Sequence, residues 1–448
     1  MQEILKEGRL YEVGGFVRDT LLHHRPDSKD RDYLVCGITY DRLVELLRRH
    51  GFVDLVGKSF GVIKFTPRGQ QVDSPVTFDI SLPRKEISTG LAHRDFEVDF
   101  DPNLPVEQDL LRRDFSMNAM ARDMASNQLV DPYGGLKDLQ NKTIRMVSEN
   151  SFREDPLRML RAVQFAARFE FEIEPETLKA LKENVALIAT VSPERIAEEL
   201  AKMLTRAEKP SIGFRLMRDM GLLSFILPEL GKTIGCEQPG GYHKYDVFEH
   251  TMHIVDAAAP RLRLRLAALF HDITKPDHKR PTDTGASFYG HESSGARVAG
   301  KVLKRLRFSN ELIREVSLLV DRHMFTTDVG PKGLRRFIRR VGQNLIPDLL
   351  DLRRADVIAQ SMGGNTDDVD EMQQAIHDEI ERKPPFGPSD LALNGRDLMK
   401  EFDLPSSPLI GEVIEHLMEK VLDVPEDNDR EILLRYASEF LKNKNKLT

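Results

Sequence analysis

The chain of 448 residues contains no tryptophan, only 2 cysteines and only 8 tyrosines. So few cysteines in so long a chain argue against a disulfide framework and fit a reducing cytoplasm. No apolar run reaches the roughly 20 residues that a membrane-spanning helix needs, and no charged-then-apolar leader opens the chain. A cytoplasmic location without a membrane partner is therefore expected, and nothing points to a protein partner. Positive charge is also short: 65 Lys and Arg against 72 Asp and Glu give a net charge of −7. That balance argues against a chain that coats nucleic acid everywhere, but it leaves room for a local basic surface. There is no internal repeat or low-complexity tract. What is present, 40% hydrophobic and 31% charged residues, suits a helix-rich globular protein. The length suits about two to four domains.

The stretch Lys29-Asp30-Arg31-Asp32-Tyr33-Leu34-Val35-Cys36 places two acids at the start of a strand-forming run. Residues two apart in a strand share a face, about 7 Å apart along the chain. Like charges that close are costly unless a cation lies between them. Mg²⁺ is the natural ion where phosphates supply its other ligands. A solvated strand end holding two Asp is the competing explanation, and the neighbours bear on it. Upstream, a strand at Leu10–Val13 runs into Gly14-Gly15 and a helix start, bare N–H groups at a positive helix end, with Arg18 one turn in. Downstream, Asp79 alternates with apolar residues in a strand over 76–82, where an unpaired buried carboxylate is expensive. A seat beside Asp30 and Asp32 would explain it.

Residues 84–109 form a long polar segment with little periodicity, of the kind usually functional or disordered. Arg113, Asp114 and Asn118 then offer a cation, an acceptor and an amide, with Asp114 and Asn118 on one helical face. Beyond about residue 143 helical periodicity dominates. A strong helix opens near Pro156, and the spacing sets Asp155, Arg158 and Arg161 on a shared face.

Residues 242–360 carry a second constellation: His250, His271-Asp272, His291, His323 and Asp356. It resembles the HD phosphohydrolase domain. The resemblance gives metal roles to His250, His271 and Asp272, and also to His291, His323 and Asp356, for a divalent transition metal or Mg²⁺. Lys275 is a candidate phosphate contact. Arg335, Arg336, Arg339 and Arg340 form a basic run at helical spacing, either a solvated face or a contact to an RNA backbone. A Pro/Gly-rich linker over 381–388 precedes a helical tail.

Taken together, Gly14-Gly15-x-Val17-Arg18-Asp19, Asp30-x-Asp32, Arg112-Arg113-Asp114 with Asn118, and Glu154-Asp155-x-x-Arg158 resemble the class II tRNA nucleotidyltransferase and poly(A) polymerase family. The resemblance implies an α+β, polymerase-β-like palm over 1–142. A helical neck and body (143–235), an HD helical domain (242–360) and a helical tail (385–448) would follow. It implies two Mg²⁺ ions on Asp30 and Asp32 with Asp79 completing the acids, and phosphates held at Gly14, Gly15 and Arg18. Arg113, Asp114 and Asn118 would take the sugar-phosphate end and Arg161 would face the phosphates. Asp155 and Arg158 would read the base, because cytosine and adenine both show an amino donor beside a ring-nitrogen acceptor. Some members carry an arginine where Gln164 stands. The long segment after Arg84, with Lys85, Glu86, Arg94, Asp95 and Glu97, favours adding C, C and then A to a tRNA 3′ end from CTP and ATP. The alternatives are a poly(A) polymerase, a CC-adding enzyme, or an HD phosphohydrolase with a nucleotide- or RNA-binding head.

Overall fold

A computed structural model of the chain describes residues 1–23, 31–55, 62–69, 76–88, 96–239, 245–283, 285–360 and 364–445. Two compact units divide it, Met1–Gly231 and Lys232–Thr448. The expected α+β head followed by helices is observed, with small two-stranded pairings inside the helical part.

In the first unit, strands β1 (Arg9–Val13), β2 (Asp32–Cys36), β3 (Gly51–Asp54), β4 (Val62–Pro67) and β5 (Phe78–Ser81) belong to one mixed sheet. So do the strands numbered here β8 (Ala121–Asp123) and β9 (Leu129–Val130). Among the described residues the order is β3-β4-β5-β2-β1-β8-β9. The pairing of β2 with β5 is parallel, and every other pairing in the sheet is antiparallel. Alternation of side chains sends residues of β1 and β2 into two different cores. Leu10, Tyr33 and Val35 join Leu43, Leu46 and Leu47 of the helix Tyr40–His50 on one face. Tyr11, Val13 and Leu34 join Val106 and Leu110 on the other. A sheet covered on both faces fixes its register, because a one-residue slip would exchange the two sets.

The segment expected to lack periodic structure instead holds a hairpin, β6 (Arg84–Ser88) against β7 (Phe96–Phe100), and a helix, Val106–Leu111. Phe96-Glu97-Val98-Asp99-Phe100 alternates as a strand does, whereas Arg84–Ser88 does not, and the ladder hydrogen bonds pair the two regardless. Arg94 and Asp95 lie outside the described residues.

The helix expected around Pro156 is two helices, Ser151–Glu154 and Leu157–Phe169, with Asp155 extended between them. The ring of Pro156 disfavours helical backbone at the residue before it. Asp155 therefore does not share a helical face with Arg158 and Arg161; its Oδ1 accepts from the Leu157 N–H at 3.2 Å.

In the second unit the helices Val247–Ala257, Leu262–Phe270, His291–Arg305, Asn310–Arg322 and Ile346–Ala359 surround the His/Asp constellation. Farther along, Arg335, Arg336 and Arg339 of the basic run are spent on partners inside the protein, whereas Arg340 is exposed. Arg335 is buried; it donates to the carbonyls of Leu422 (2.6 Å) and Asp423 (3.1 Å) and to Glu379 (2.8 Å). Arg336 pairs with Glu419 and Asp423, and Arg339 with Glu415 and Glu419. The run fastens the helix Pro331–Val341 to the acidic tail helix Pro408–Asp423, and so offers little free charge to an RNA backbone. Among the described residues no helix is long and apolar enough to cross a membrane.

Candidate functional site

The turn at Gly14 has φ +77°, which only glycine takes without strain, and a Cβ there would lie 2.9 Å from Nη1 of Arg113. The turn starts the helix Gly15–Leu21 with Arg18 on its buried side. Parallel pairing of β2 with β5 sets Asp32 opposite Asp79. Neighbouring strands lie about 4.8 Å apart, so the two carboxylates are adjacent. Asp32 is exposed at the strand start and Asp79 is 43% exposed, with the Lys64 ammonium 3.9 Å away. Asp30 lies outside the described residues.

Behind these acids a polar chain fixes the arginines. Arg18 donates to Asn118 Oδ1 at 2.5 Å and to Asp19 at 2.7 Å, and lies over the rings of Phe165 and Phe169. Asn118 donates to Asp114 Oδ1 at 2.9 Å, and Arg161 holds Asp114 Oδ2 at 2.7–2.8 Å. The segment between Asp114 and Asn118 is a short 3₁₀ turn rather than an α-helix, yet the pair meets as expected. Burial works against ionisation of Asp114, but Arg161 and Asn118 hold its carboxyl below the usual range. Asp114 in turn raises the Arg161 guanidinium above its ordinary value. Burial lowers Arg113, with Asp109 acting the other way.

A cavity of about 410 Å³ brings Gly14, Arg18, Asp32, Arg113, Asp155 and Arg158 onto one wall system. Asp155 is held by Arg195 at 2.8 and 3.2 Å. Arg158 donates to Arg112 O at 2.6 Å and to Ser151 Oγ at 3.0 Å, and pairs with Glu154 at 3.1 Å. Sequence reasoning missed Arg168, Arg195, Glu199, Lys202 and Arg206, which also line the cavity. Arg168 continues the row of Arg158 and Arg161 along its helix and was there to be found. The others sit on the helix Pro193–Arg206, which only the packing brings across.

In the second unit six predicted residues converge. His250 Nε2 lies 3.1 Å from Asp356 Oδ1 and 3.8 Å from Asp272 Oδ2. His271 Nε2 is 3.0 Å from the same Asp272 oxygen, and His291 Nε2 is 3.2 Å from its Oδ1. His323 Nε2 is 3.2 Å from His291 Nε2. All six residues are buried. Burial favours a neutral Asp272, but His271 and Lys275 hold its carboxyl well below the usual range. Burial and His271 push His323 down to about 3. Lys275, expected to await a phosphate, is instead buried with its ammonium 2.7 Å from Asp272 Oδ2 and 2.7 Å from Gln238 Oε1.

Adjacent aspartates on a mixed sheet, one of them lining an arginine-rich cavity, define the class: a nucleotide-handling phosphoryl-transfer head joined to a helical body. The comparisons agree with that class. Residues 10–145 match the Poly A polymerase head domain family, and residues 170–233 match the family described as a probable RNA and SrmB-binding site of polymerase A. Residues 293–437 match the putative second domain of tRNA nucleotidyltransferases. The multifunctional CCA protein of Paracidovorax citrulli is 38% identical over 345 residues, 74% of this chain and 78% of that one. That of Ralstonia nicotianae is 40% identical over 326 residues, 70% of this chain and 71% of that one. The chain belongs to the multifunctional CCA protein family of tRNA nucleotidyltransferases. The fold is that of the Bacillus stearothermophilus CCA-adding enzyme solved with CTP, with TM-score 0.73, 22% identity, and 100% of this chain and 97% of that one covered. The Thermotoga maritima CCA-adding enzyme complexed with tRNA gives a TM-score of 0.54 at 22% identity, over 97% and 92% of the two chains.

Proposed function

We propose that this chain adds C, C and A to the 3′ end of tRNA from CTP and ATP, with Asp30, Asp32 and Asp79 as the acids of the reaction. The observation that carries the reading is the register that sets Asp79 beside Asp32, which lines an arginine-lined cavity. The acids fit Mg²⁺, a hard ion that takes carboxylate oxygens. When bound there it supplies activation of the RNA 3′-hydroxyl and charge compensation on the triphosphate. Gly14 and Gly15 leave room for phosphate oxygens to approach the backbone, and Arg18 presents its charge to them. Arg113, Asp114 and Asn118 hold the sugar-phosphate end.

Base choice falls to Asp155 and Arg158. The carboxylate accepts from the amino group of C or A, and the guanidinium donates to the ring nitrogen beside it. Uracil and guanine present the opposite polarity and leave both groups unpaired. Sites built on such bonds discriminate by about 10⁴-fold. The partners Arg195, Ser151 and Arg112 brace the pair in advance of binding.

The second-unit cluster favours a further activity, hydrolysis of cyclic phosphates and nucleotides in an HD-type domain. Its imidazole nitrogens around Asp272 and Asp356 suit a divalent transition metal, which supplies an acidified water when bound.

The test is a tRNA lacking its 3′ end, incubated with Mg²⁺, CTP and ATP, with the product ends sequenced. A single CCA is expected, and Asp32→Ala should abolish it. Products ending at CC, or a run of A on unrelated RNA, would replace the CCA reading by the CC-adding or poly(A) one. Retained phosphatase activity in Asp32→Ala, lost in Asp272→Asn, is expected of two separate sites.

A further inference from the structure

We propose that Arg353 grips the substrate phosphate in the cavity of the second unit, the role first expected of Lys275. This rests on the hydrolase reading above and adds to it the group that holds the anion. A cavity of about 460 Å³ opens onto His271, Asp272, His291, His323 and Asp356. Glu292 lines it as well, so a phosphate ester entering it meets three carboxylates and needs a cation of the protein's own. Among the described residues, Lys275 and Arg353 are the lysine and the arginine that line this cavity. Lys275 is already committed: its ammonium lies 2.7 Å from Asp272 Oδ2 and 2.7 Å from Gln238 Oε1.

Arg353 is differently placed. A guanidinium carries five N–H donors in a rigid fork. Its Nη1 reaches Asp356 Oδ2 at 3.5 Å, beyond the 2.7–3.2 Å of an ordinary N–H···O bond. Its Nε is buried with no hydrogen-bond partner. A buried donor left without a bond is costly, and an incoming acceptor relieves that cost. The side chain is 27% exposed while it lines the cavity, so an anion there can reach it. Phosphate suits the fork, because two parallel N–H groups bind two oxygens of one anion.

The helix Ile346–Ala359 separates two neighbouring arginines by task. Asp356 follows Arg353 by three residues, so the two share a face. Arg354 does not line the cavity; it donates to Asp351, Asp370 and Gln373 at 2.5–3.0 Å. The rival account makes Arg353 an ordinary ion-pair partner that orients Asp356. Asp356 has other anchors for that: its Oδ1 lies 3.1 Å from His250 Nε2 and accepts from Gln360 at 3.4 Å. The long contact to Oδ2 leaves the guanidinium available to substrate.

Two measurements on the full chain test the assignment. Phenylglyoxal labels arginines, and mass spectrometry of the peptides reads each site. Inorganic phosphate should slow labelling of Arg353 and leave Arg340, which is exposed and outside the cavity, unchanged. Hydrolysis of a nucleoside cyclic phosphate is then followed with Mn²⁺ bound. Arg353→Ala should raise KM by about 10- to 100-fold, the size expected for a lost bond to a charged group, with kcat changed far less. Arg353→Lys should recover part of the loss, since an ammonium restores the charge without the fork. Mn²⁺ content and CCA addition should match wild type in both variants. Loss of Mn²⁺ from Arg353→Ala would mean that the residue serves Asp356 rather than substrate, and would overturn the assignment. If Arg353→Ala keeps the wild-type KM, or phosphate does not protect Arg353, the assignment falls while the hydrolase reading stands. A wild-type chain that hydrolyses no phosphate ester with Mg²⁺ or a divalent transition metal ends the hydrolase reading, and the assignment with it.

Discussion

Replacing Arg335 by Ala should destabilise the second unit without touching RNA binding. Arg335 is 7% exposed, and its guanidinium joins two last-turn carbonyls of the tail helix to Glu379, itself 3% exposed. Removing one member of a buried ion pair costs about 3–5 kcal/mol, because the other charge is left uncompensated. Glu379 retains Arg382 at 3.2 Å, which places the loss at the low end, about 3 kcal/mol. With a urea slope of about 2–3 kcal/mol/M, the midpoint of the second unit should fall by roughly 1 M. Arg340→Ala, at an exposed position of the same helix, should stay within about 0.5 kcal/mol of wild type. Arg335→Met with Glu379→Leu should recover most of the loss, since an apolar pair of similar volume leaves no buried charge. An unchanged midpoint for Arg335→Ala, together with weaker and less salt-dependent tRNA binding, would refute this reasoning and return the run to an RNA-contact role.

Gly14→Ala forces a side chain into a positive-φ turn and against Arg113, so it should cost about 1–3 kcal/mol and raise the KM for nucleotide; thermal melts and initial rates measure both. Asp155→Asn puts an amide where a carboxylate accepts from the base amino group and breaks the Arg195 pair, so the kcat/KM preference for CTP over UTP should fall by up to about 10⁴-fold. Asp114 has a carboxyl held below its ordinary 3.8. Its contribution to stability is therefore fully present above pH 3.8 and lost as the pH falls through the lowered value; Asp114→Asn should flatten the acid limb of a stability–pH curve for the first unit.

Much of the site was legible in the chain order of residues because its parts are local. A glycine pair before a helix, an acid at a strand start, and Asp114 with Asn118 each carry their geometry within a few residues. The His-Asp dipeptide with its flanking histidines was equally plain, since few other uses explain so many ligating groups. Local rules misled where a neighbour intervened. Pro156 pulled Asp155 out of the helix that spacing alone had given it. The hairpin in the 84–109 segment was partly legible, since Phe96-Glu97-Val98-Asp99-Phe100 alternates apolar and polar residues, but its partner strand Arg84–Ser88 carries no such pattern.

By itself, then, the sequence determined the kinds of chemistry: oxygen ligands for a hard ion, arginines for phosphates, imidazoles for a softer metal. Tertiary structure alone decided who stands next to whom. Strand pairing put Asp79 beside Asp32 across 46 intervening positions, and helix packing brought Arg195 to Asp155. It also turned the Arg335 run inward, because acids on a tail helix some 80 residues later neutralise it. Charges and ligands are properties of residues, but whether a charge is free or spent depends on partners that only the folded chain supplies.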